Sequence, residues 1–348
     1  MLLMCAVVLA GFTTECQQTR TYVPSLLEQH WSTNIHRWTD NTKNWTKGCN
    51  AYREDKSYID KWKSWMRCER LSSKDKSTHG ECGYSQDTFS YHEVRSSCNS
   101  SEVKREYLEP LAVALRHPEV PCDLVGRGKD KTGDTNWIVF PQWSNRRARR
   151  SYFFDLGSTT YTAGMFGHRD SLAWFVQRFR QKGTEFDEIF AWEKNTINAL
   201  RYWKKVPNDM VAKMHFYNVA TTTDPHDSQN ALRIVEEVAR PEDFVVFKLD
   251  IDSNHIEQLI VQQLIDSPKL QGLVDELFWE HHVSLSPMQW YGWGDASRFP
   301  NTGTIMDSYR NFTKLRQLGI RAHSWELSLG PSTVLSPLGV RPHRSLLP

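Results

Sequence analysis

From Ser151 onward, short apolar runs alternate with amphipathic stretches. Tyr152 to Leu156 (YFFDL) is an apolar run of strand length, ended by Gly157. Between Ser171 and Lys182, Leu172, Phe175, Val176 and Phe179 recur with the period of a helix buried on one side, and Gly183 stops it. Phe186–Trp192, Lys213–Val219, the continuous apolar run Phe244–Ile251, Leu273–Trp279 and Ile320–Trp325 read as further strands. Leu232–Ala239, Ile256–Ile265 and Ser308–Leu318 read as the helices between them. Strands separated by helices of this size predict an α/β fold, with a doubly wound, mostly parallel sheet over residues 151–327.

The pattern before Ser151 is different. Residues 13–125 are polar and rich in tryptophan (Trp31, Trp38, Trp45, Trp62, Trp65). Leu27, Trp31, Ile35 and Trp38 are spaced for one amphipathic helix. Ser72 to Ser101 is dominated by Ser, Lys, Asp, Glu and Gly and lacks the apolar residues of a core unless disulfides staple it. The region reads as a loop-rich, disulfide-linked module, a stem rather than a substrate-recruiting surface. Residues 126–150 read as a linker, with Gly126, Gly128 and Gly133 and a closing basic run Arg146–Arg150. Within that run Arg147-Ala148-Arg149-Arg150 resembles a proprotein-convertase site, although a solvated boundary before a buried strand is the simpler reading. Residues 328–348 carry Pro331, Pro337, Pro342 and Pro348 and read as a disordered tail.

Composition sets the compartment more than the fold. The chain has 348 residues, 39% hydrophobic and 24% charged, with a net charge of +2, which is ordinary for a folded protein and argues against nucleic acid as a partner. All 7 cysteines (Cys5, Cys16, Cys49, Cys68, Cys82, Cys98, Cys122) lie in the front of the chain. Residues 1–12 (MLLMCAVVLAGF) read as a signal peptide or a truncated membrane anchor, the alternative being a buried strand with reduced thiols. Removing them takes Cys5 and leaves an even set whose pairing the sequence does not choose. Sequons at Asn44, Asn99 and Asn311 agree with the secretory pathway, in the Golgi lumen or outside the cell, with a luminal membrane tether as one form.

In a doubly wound sheet, ligands bind outside the carboxyl ends of the strands. The first strand ends in Asp155-Leu156-Gly157-Ser158, with Gly164 and Gly167 beyond. The turn has neither the Gly-Lys-Ser/Thr of a phosphate loop nor the three glycines of a dinucleotide fingerprint, which points to a cofactor without phosphates. Trp192-Glu193 ends the second strand: the carboxylate suits ribose hydroxyls and the indole a base. Lys248-Leu249-Asp250-Ile251-Asp252 ends the fourth, with Glu257 on the next helix, and strand alternation puts Lys248, Asp250 and Asp252 on one face. A structural Lys–Asp pair is the bland alternative. The fifth strand runs into Glu280-His281-His282; alternation sends the two histidines to opposite faces, so no metal is expected there, although a divalent ion is chemically open. The loop Trp290-Tyr291-Gly292-Trp293-Gly294 suits stacking on a sugar-like acceptor or an aromatic lid.

Asp155-Leu156-Gly157, Asn218-Val219-Ala220 and Lys248-Leu249-Asp250-Ile251-Asp252 with Glu257 resemble the FkbM-type branch of S-adenosylmethionine-dependent methyltransferases. The resemblance covers residues 151 to 325; Asp252 stands where that branch has Glu, and Ser253 where it has Gly. It implies a Rossmann-like methyltransferase fold with Asp155, Gly157, Ser158, Trp192, Glu193 and Asn218 around S-adenosylmethionine. It also implies Asp250, Asp252 and His281 as candidates for the base or for placing the acceptor. The acceptor is expected to be a glycan or small-molecule hydroxyl. Asp250-Ile251-Asp252 also has the D-x-D form of a luminal Mn²⁺-dependent glycosyltransferase, and a secreted protein keeping the fold without catalysis is the third reading.

Overall fold

The computed structural model describes residues 18–35, 45–72, 82–126, 131, 134–141, 148–162, 171–284 and 303–325. The N-terminal run, Trp38, Gly164, Gly167, the Trp290–Gly294 loop, part of the basic run and the C-terminal tail lie outside these residues.

The front region is regular rather than loop-rich, a correction to its reading from composition. It holds β1 (Gln18–Val23), α1 (Leu26–Asn34), α2 (Thr46–Glu54), α3 (Lys56–Ser72), β2 (Ser90–Ser96), β3 (Asn99–Leu108) and α4 (Val120–Gly126). The three strands form an antiparallel sheet in the order β1-β2-β3. Composition concealed this because each element buries a thin stripe. Among the described side chains of α3, Ile59, Trp62, Trp65, Met66 and Glu69 are the buried ones, at helical spacing among exposed Lys, Arg and Asp. Ser25 caps α1 by accepting from the Glu28 N–H (3.1 Å), and Leu27 and Trp31 face inward. Disulfides join Cys49 to Cys122 and Cys68 to Cys82, and Cys98 is disulfide-bonded as well.

The back region holds β4 (Ser151–Leu156), α5 (Leu172–Gln181), β5 (Glu188–Trp192), α6 (Ala199–Trp203), α7 (Asn208–Val211), β6 (Met214–Tyr217) and α8 (Ala231–Val238). It continues with β7 (Phe244–Leu249), α9 (Asn254–Asp266), α10 (Pro268–Gln271), β8 (Glu276–Trp279), α11 (Ile305–Gln317) and β9 (Arg321–Ser324). The six strands β4–β9 pair in parallel in the order β6-β5-β4-β7-β8-β9, as the alternating pattern predicts for an α/β fold. Chain direction across the sheet reverses between β4 and β7. Phe153 packs on Phe175 of α5 (ring centroids 5.3 Å apart), while Trp279 packs on Phe312 of α11 (5.5 Å) from the other side. Both faces are therefore covered, which is why β7 (FVVFKL) is buried throughout. Helices α6, α7 and α10 are too short to display a period.

Front and back share one hydrophobic core. The stretch read as a linker is part of it: Trp137, Ile138, Val139 and Phe140 are buried, Trp137 against Trp62 and Phe140 stacked on Phe278. Polar groups complete the join. Glu109, just after β3, accepts from Arg316 Nη2 (2.7 Å), His323 Nδ1 (2.9 Å) and the Val139 N–H (2.9 Å). The other ring nitrogen of His323 donates to Glu276 Oε2 at 2.6 Å, and Arg321 also pairs with Glu276. All five side chains are buried. Burial by itself would raise the Glu109 carboxyl and lower His323. Mutual attraction wins at both, holding Glu109 at about 2 and raising His323 above its ordinary value.

Glu109→Ala should destabilise the chain by about 3–5 kcal/mol in chemical denaturation, since buried Arg316 and His323 each lose a carboxylate partner. A loss below about 1 kcal/mol would show that the network contributes little. Burial also pulls His92 down to about 3 and His117 to about 4, so both are neutral when folded and take up protons on unfolding. Their contribution is complete above the ordinary histidine value and is lost as pH falls through 6.5 toward 4. Melting temperature should drop over that window, with a shallower drop in His92→Gln, whose amide can still donate to the Arg316 carbonyl in place of Nε2 (2.7 Å). An unchanged slope in this variant would contradict the assignment.

Candidate functional site at the carboxyl edge of the parallel sheet

The turn after β4 is fixed by its neighbour. Gly157 has φ +91°, and a Cβ there would lie 1.6 Å from the Asp250 carbonyl oxygen. Its bareness thus admits the backbone leaving β7. In the parallel ladder Asp155 is the register partner of Lys248. The Lys248 ammonium lies 3.2 Å from Asp155 Oδ1 and 3.0 Å from Asp250 Oδ2, with Lys248 and Asp155 both buried. Burial favours the neutral amine, but the two carboxylates more than offset it and hold the proton on Lys248. The structural Lys–Asp pair therefore exists, and it stands at the crevice where the sheet changes direction.

The residues at the end of β5 are held by backbone groups. Glu193 is buried and accepts from the Thr159 N–H (3.2 Å) and the Asn195 N–H (2.6 Å), which ties the first turn to the second. Asn218 braces the same loop: its amide donates to the Glu193 and Asn195 carbonyls and accepts from the Ile197 N–H. The Trp192 ring stacks on Tyr217, with centroids 4.6 Å apart, and its buried indole N–H has no acceptor among the described residues. The Ser158 N–H donates to the Trp192 carbonyl (2.9 Å), and the Ser158 side chain is buried. Burial, with the nearby charge of Asp155, pushes the Tyr202 phenol up.

Asp250 and Asp252 separate as the strand gives way to a turn. Asp250 stays with Lys248, while burial first, and the nearby Asp250 charge second, hold the Glu280 carboxyl well above its ordinary value. Asp252 has φ +53°, a left-handed conformation unusual for a residue other than glycine or asparagine, and its Oδ1 lies 3.7 Å from His282 Nε2. Glu280 Oε2 lies 3.2 Å from the same nitrogen. Burial pulls the His282 imidazole down to about 4, and the charge of buried Arg116 acts in the same direction. Glu257 holds the turn by accepting from the Ile251 N–H (3.1 Å), the Ser253 N–H (3.3 Å) and Trp279 Nε1 (3.2 Å). Burial first, and Asp250 second, push Glu257 up to about 8.

His281 and His282 do diverge. His281 stacks on Trp279 and its ring nitrogens meet Ser308 Oγ (2.9 Å) and Gln258 (3.0 Å), away from the acids. His282 joins Asp252 and Glu280 instead. Sequence reading dismissed the histidines as joint ligands and passed over Glu280. The signal was present, because residues two apart share a face of an extended chain and Glu280 and His282 are two apart.

Lys248→Met should cost about 3–5 kcal/mol in chemical denaturation, because it leaves Asp155 and Asp250 without their cation. Gly157→Ala should cost more than the roughly 1–3 kcal/mol of one left-handed residue, since the added carbon also meets a backbone oxygen. A near-neutral Gly157→Ala would refute the close approach of β4 and β7. In comparisons with protein-family models, with curated proteins and with solved structures, the chain matches none.

Proposed function

We propose that the chain transfers a methyl group from S-adenosylmethionine to a hydroxyl oxygen of a glycan or small molecule, in the lumen of the secretory pathway or outside the cell. One observation carries the reading: the acid–glycine turn after β4 meets the acids after β7 and β8 at the point where the sheet order reverses. Crevices at such switch points are where doubly wound sheets take nucleoside ligands. The Rossmann-like methyltransferase fold and the FkbM-type likeness belong to this proposal. So does the disposition of Asp155, Gly157, Ser158, Trp192, Glu193 and Asn218 around the cofactor. The disulfides favour an oxidising compartment, and among the described residues no helix is long and apolar enough to cross a membrane.

In the transfer, the acceptor oxygen attacks the sulfonium methyl carbon in line, and the carbon–sulfur bond breaks with its electron pair left on sulfur. The acceptor's proton passes to a carboxylate. Asp252 is better suited to accept it than Asp250, because its side chain is 39% exposed whereas Asp250 is engaged by Lys248. Alignment of the two reacting atoms supplies most of the acceleration, and the base adds about 10²–10⁴-fold. His281, bonded at both nitrogens, suits positioning rather than proton transfer.

The approach of Asp252, Glu280 and His282 favours a second reading, transfer of a sugar from a nucleotide with Mn²⁺. Calorimetry separates the two. S-adenosylhomocysteine is expected to bind one site per chain without metal, and Asp155→Asn to weaken it at least tenfold (about 1.4 kcal/mol). Binding of UDP only with Mn²⁺, and none of S-adenosylhomocysteine, would overturn methyl transfer in favour of the second reading.

A further inference from the structure

We infer that Asp252, Glu280 and His282 form a binding site for one divalent cation of the Mn²⁺ type. The cation's task, gathering the acceptor's oxygens beside the methyl donor, rests on the methyl-transfer reading; the site itself does not. One ligand atom from each residue falls within 4.8 Å of the other two. The His282 nitrogen is 3.2 Å from Glu280 Oε2 and 3.7 Å from Asp252 Oδ1. Ions held at about 2.0–2.2 Å put neighbouring ligands roughly 3 Å apart and opposite ones roughly 4 Å apart, so this spread needs only small shifts to close on an ion. Two carboxylates and an imidazole make a mixed donor set that takes Mn²⁺ more readily than Mg²⁺ or Ca²⁺, which prefer oxygen alone.

Charge points the same way. Asp155, Asp250, Asp252, Glu257 and Glu280 gather around Lys248 and His282, and Arg116 adds a second cation nearby. Lys248 already serves Asp155 and Asp250. A dication beside His282 would compensate Asp252 and the buried Glu280 together. Access is asymmetric as well: the His282 and Glu280 side chains are 0% and 6% exposed, against 39% for Asp252. An ion held there meets solvent, and any acceptor, on the Asp252 side. Three protein ligands leave coordination positions open for acceptor oxygens.

The test titrates Mn²⁺ into the full chain, reading free ion by electron paramagnetic resonance and folding by circular dichroism. Asp252→Asn is the main variant, because asparagine tolerates the same left-handed backbone while losing the anionic oxygen. His282→Gln is the second variant, and the exposed Asp266→Asn is the control. The wild type and the control should bind one Mn²⁺ per chain, and both site variants should weaken it at least about tenfold. If His282→Gln does not fold, Asp252→Asn decides alone. A folded wild type that takes up no Mn²⁺ at millimolar concentration, or an Asp252→Asn that binds as the wild type does, would overturn the inference. S-adenosylhomocysteine titrated into the same samples keeps the readings apart. Mn²⁺ uptake without nucleoside binding leaves the cation site standing and removes methyl transfer, while the reverse outcome removes only the cation.

Discussion

One buried ammonium organises this molecule. Lys248 lies near the carboxyl end of a hydrophobic strand, where an unpaired charge would be prohibitive, and it is stable there because β4 brings Asp155 to its register position and the end of β7 brings Asp250 back to it. The same approach of β4 and β7 requires a bare Cα at Gly157. The pairing of the central strands, the shape of the first turn and the gathering of acids at the carboxyl edge are therefore one constraint. Once Asp250 is committed to Lys248, the chain must turn sharply, and the left-handed Asp252 sends the next carboxylate toward Glu280 and His282.

The front third depends on a second buried network of the same kind. Glu109 reaches across to Arg316 and His323, while Arg321 and His323 share Glu276 on the neighbouring strand. Register puts Phe278 and His323 in the row that continues Asp155 and Lys248 across the sheet. Ionic groups thus stand on either side of Phe278 in one row, and Phe140 stacks on it. The residues after Glu109 pass through three consecutive left-handed positions, Val113, Ala114 and Leu115, before Arg116 is buried close to His282. Such backbone costs of order 1–3 kcal/mol per residue and persists only where surrounding structure demands it. The front region consequently brings a buried cation within electrostatic reach of His282.

Strand and helix periodicity made the parallel sheet legible from the sequence, because β7 is a continuous apolar run and α5 carries a clean helical stripe between Ser171 and Gly183. The acids at strand ends were legible for the same reason, since position at a strand end follows from the strands. The front region was not. Its helices bury narrow stripes, and β1 and the described side chains of β3 bury little, so composition resembled a loop. Long-range partners were also out of reach: nothing local in Glu109 announces Arg316, and nothing in Asp252 announces a left-handed backbone. Glu280 and His282 escaped because the two histidines were weighed as a pair with each other, whereas the spacing that matters couples each to the residue two before it.

The proposed methyl transfer requires a nucleoside cofactor where Glu193 ties together the turns after β4 and β5. Hydrogen–deuterium exchange of the full chain with and without S-adenosylhomocysteine tests it most directly. The amides of residues 157–161 and 193–197 should gain protection on binding, while those of the front antiparallel sheet stay unchanged. Unaltered exchange in both turns of a folded protein at saturating ligand would contradict the claim.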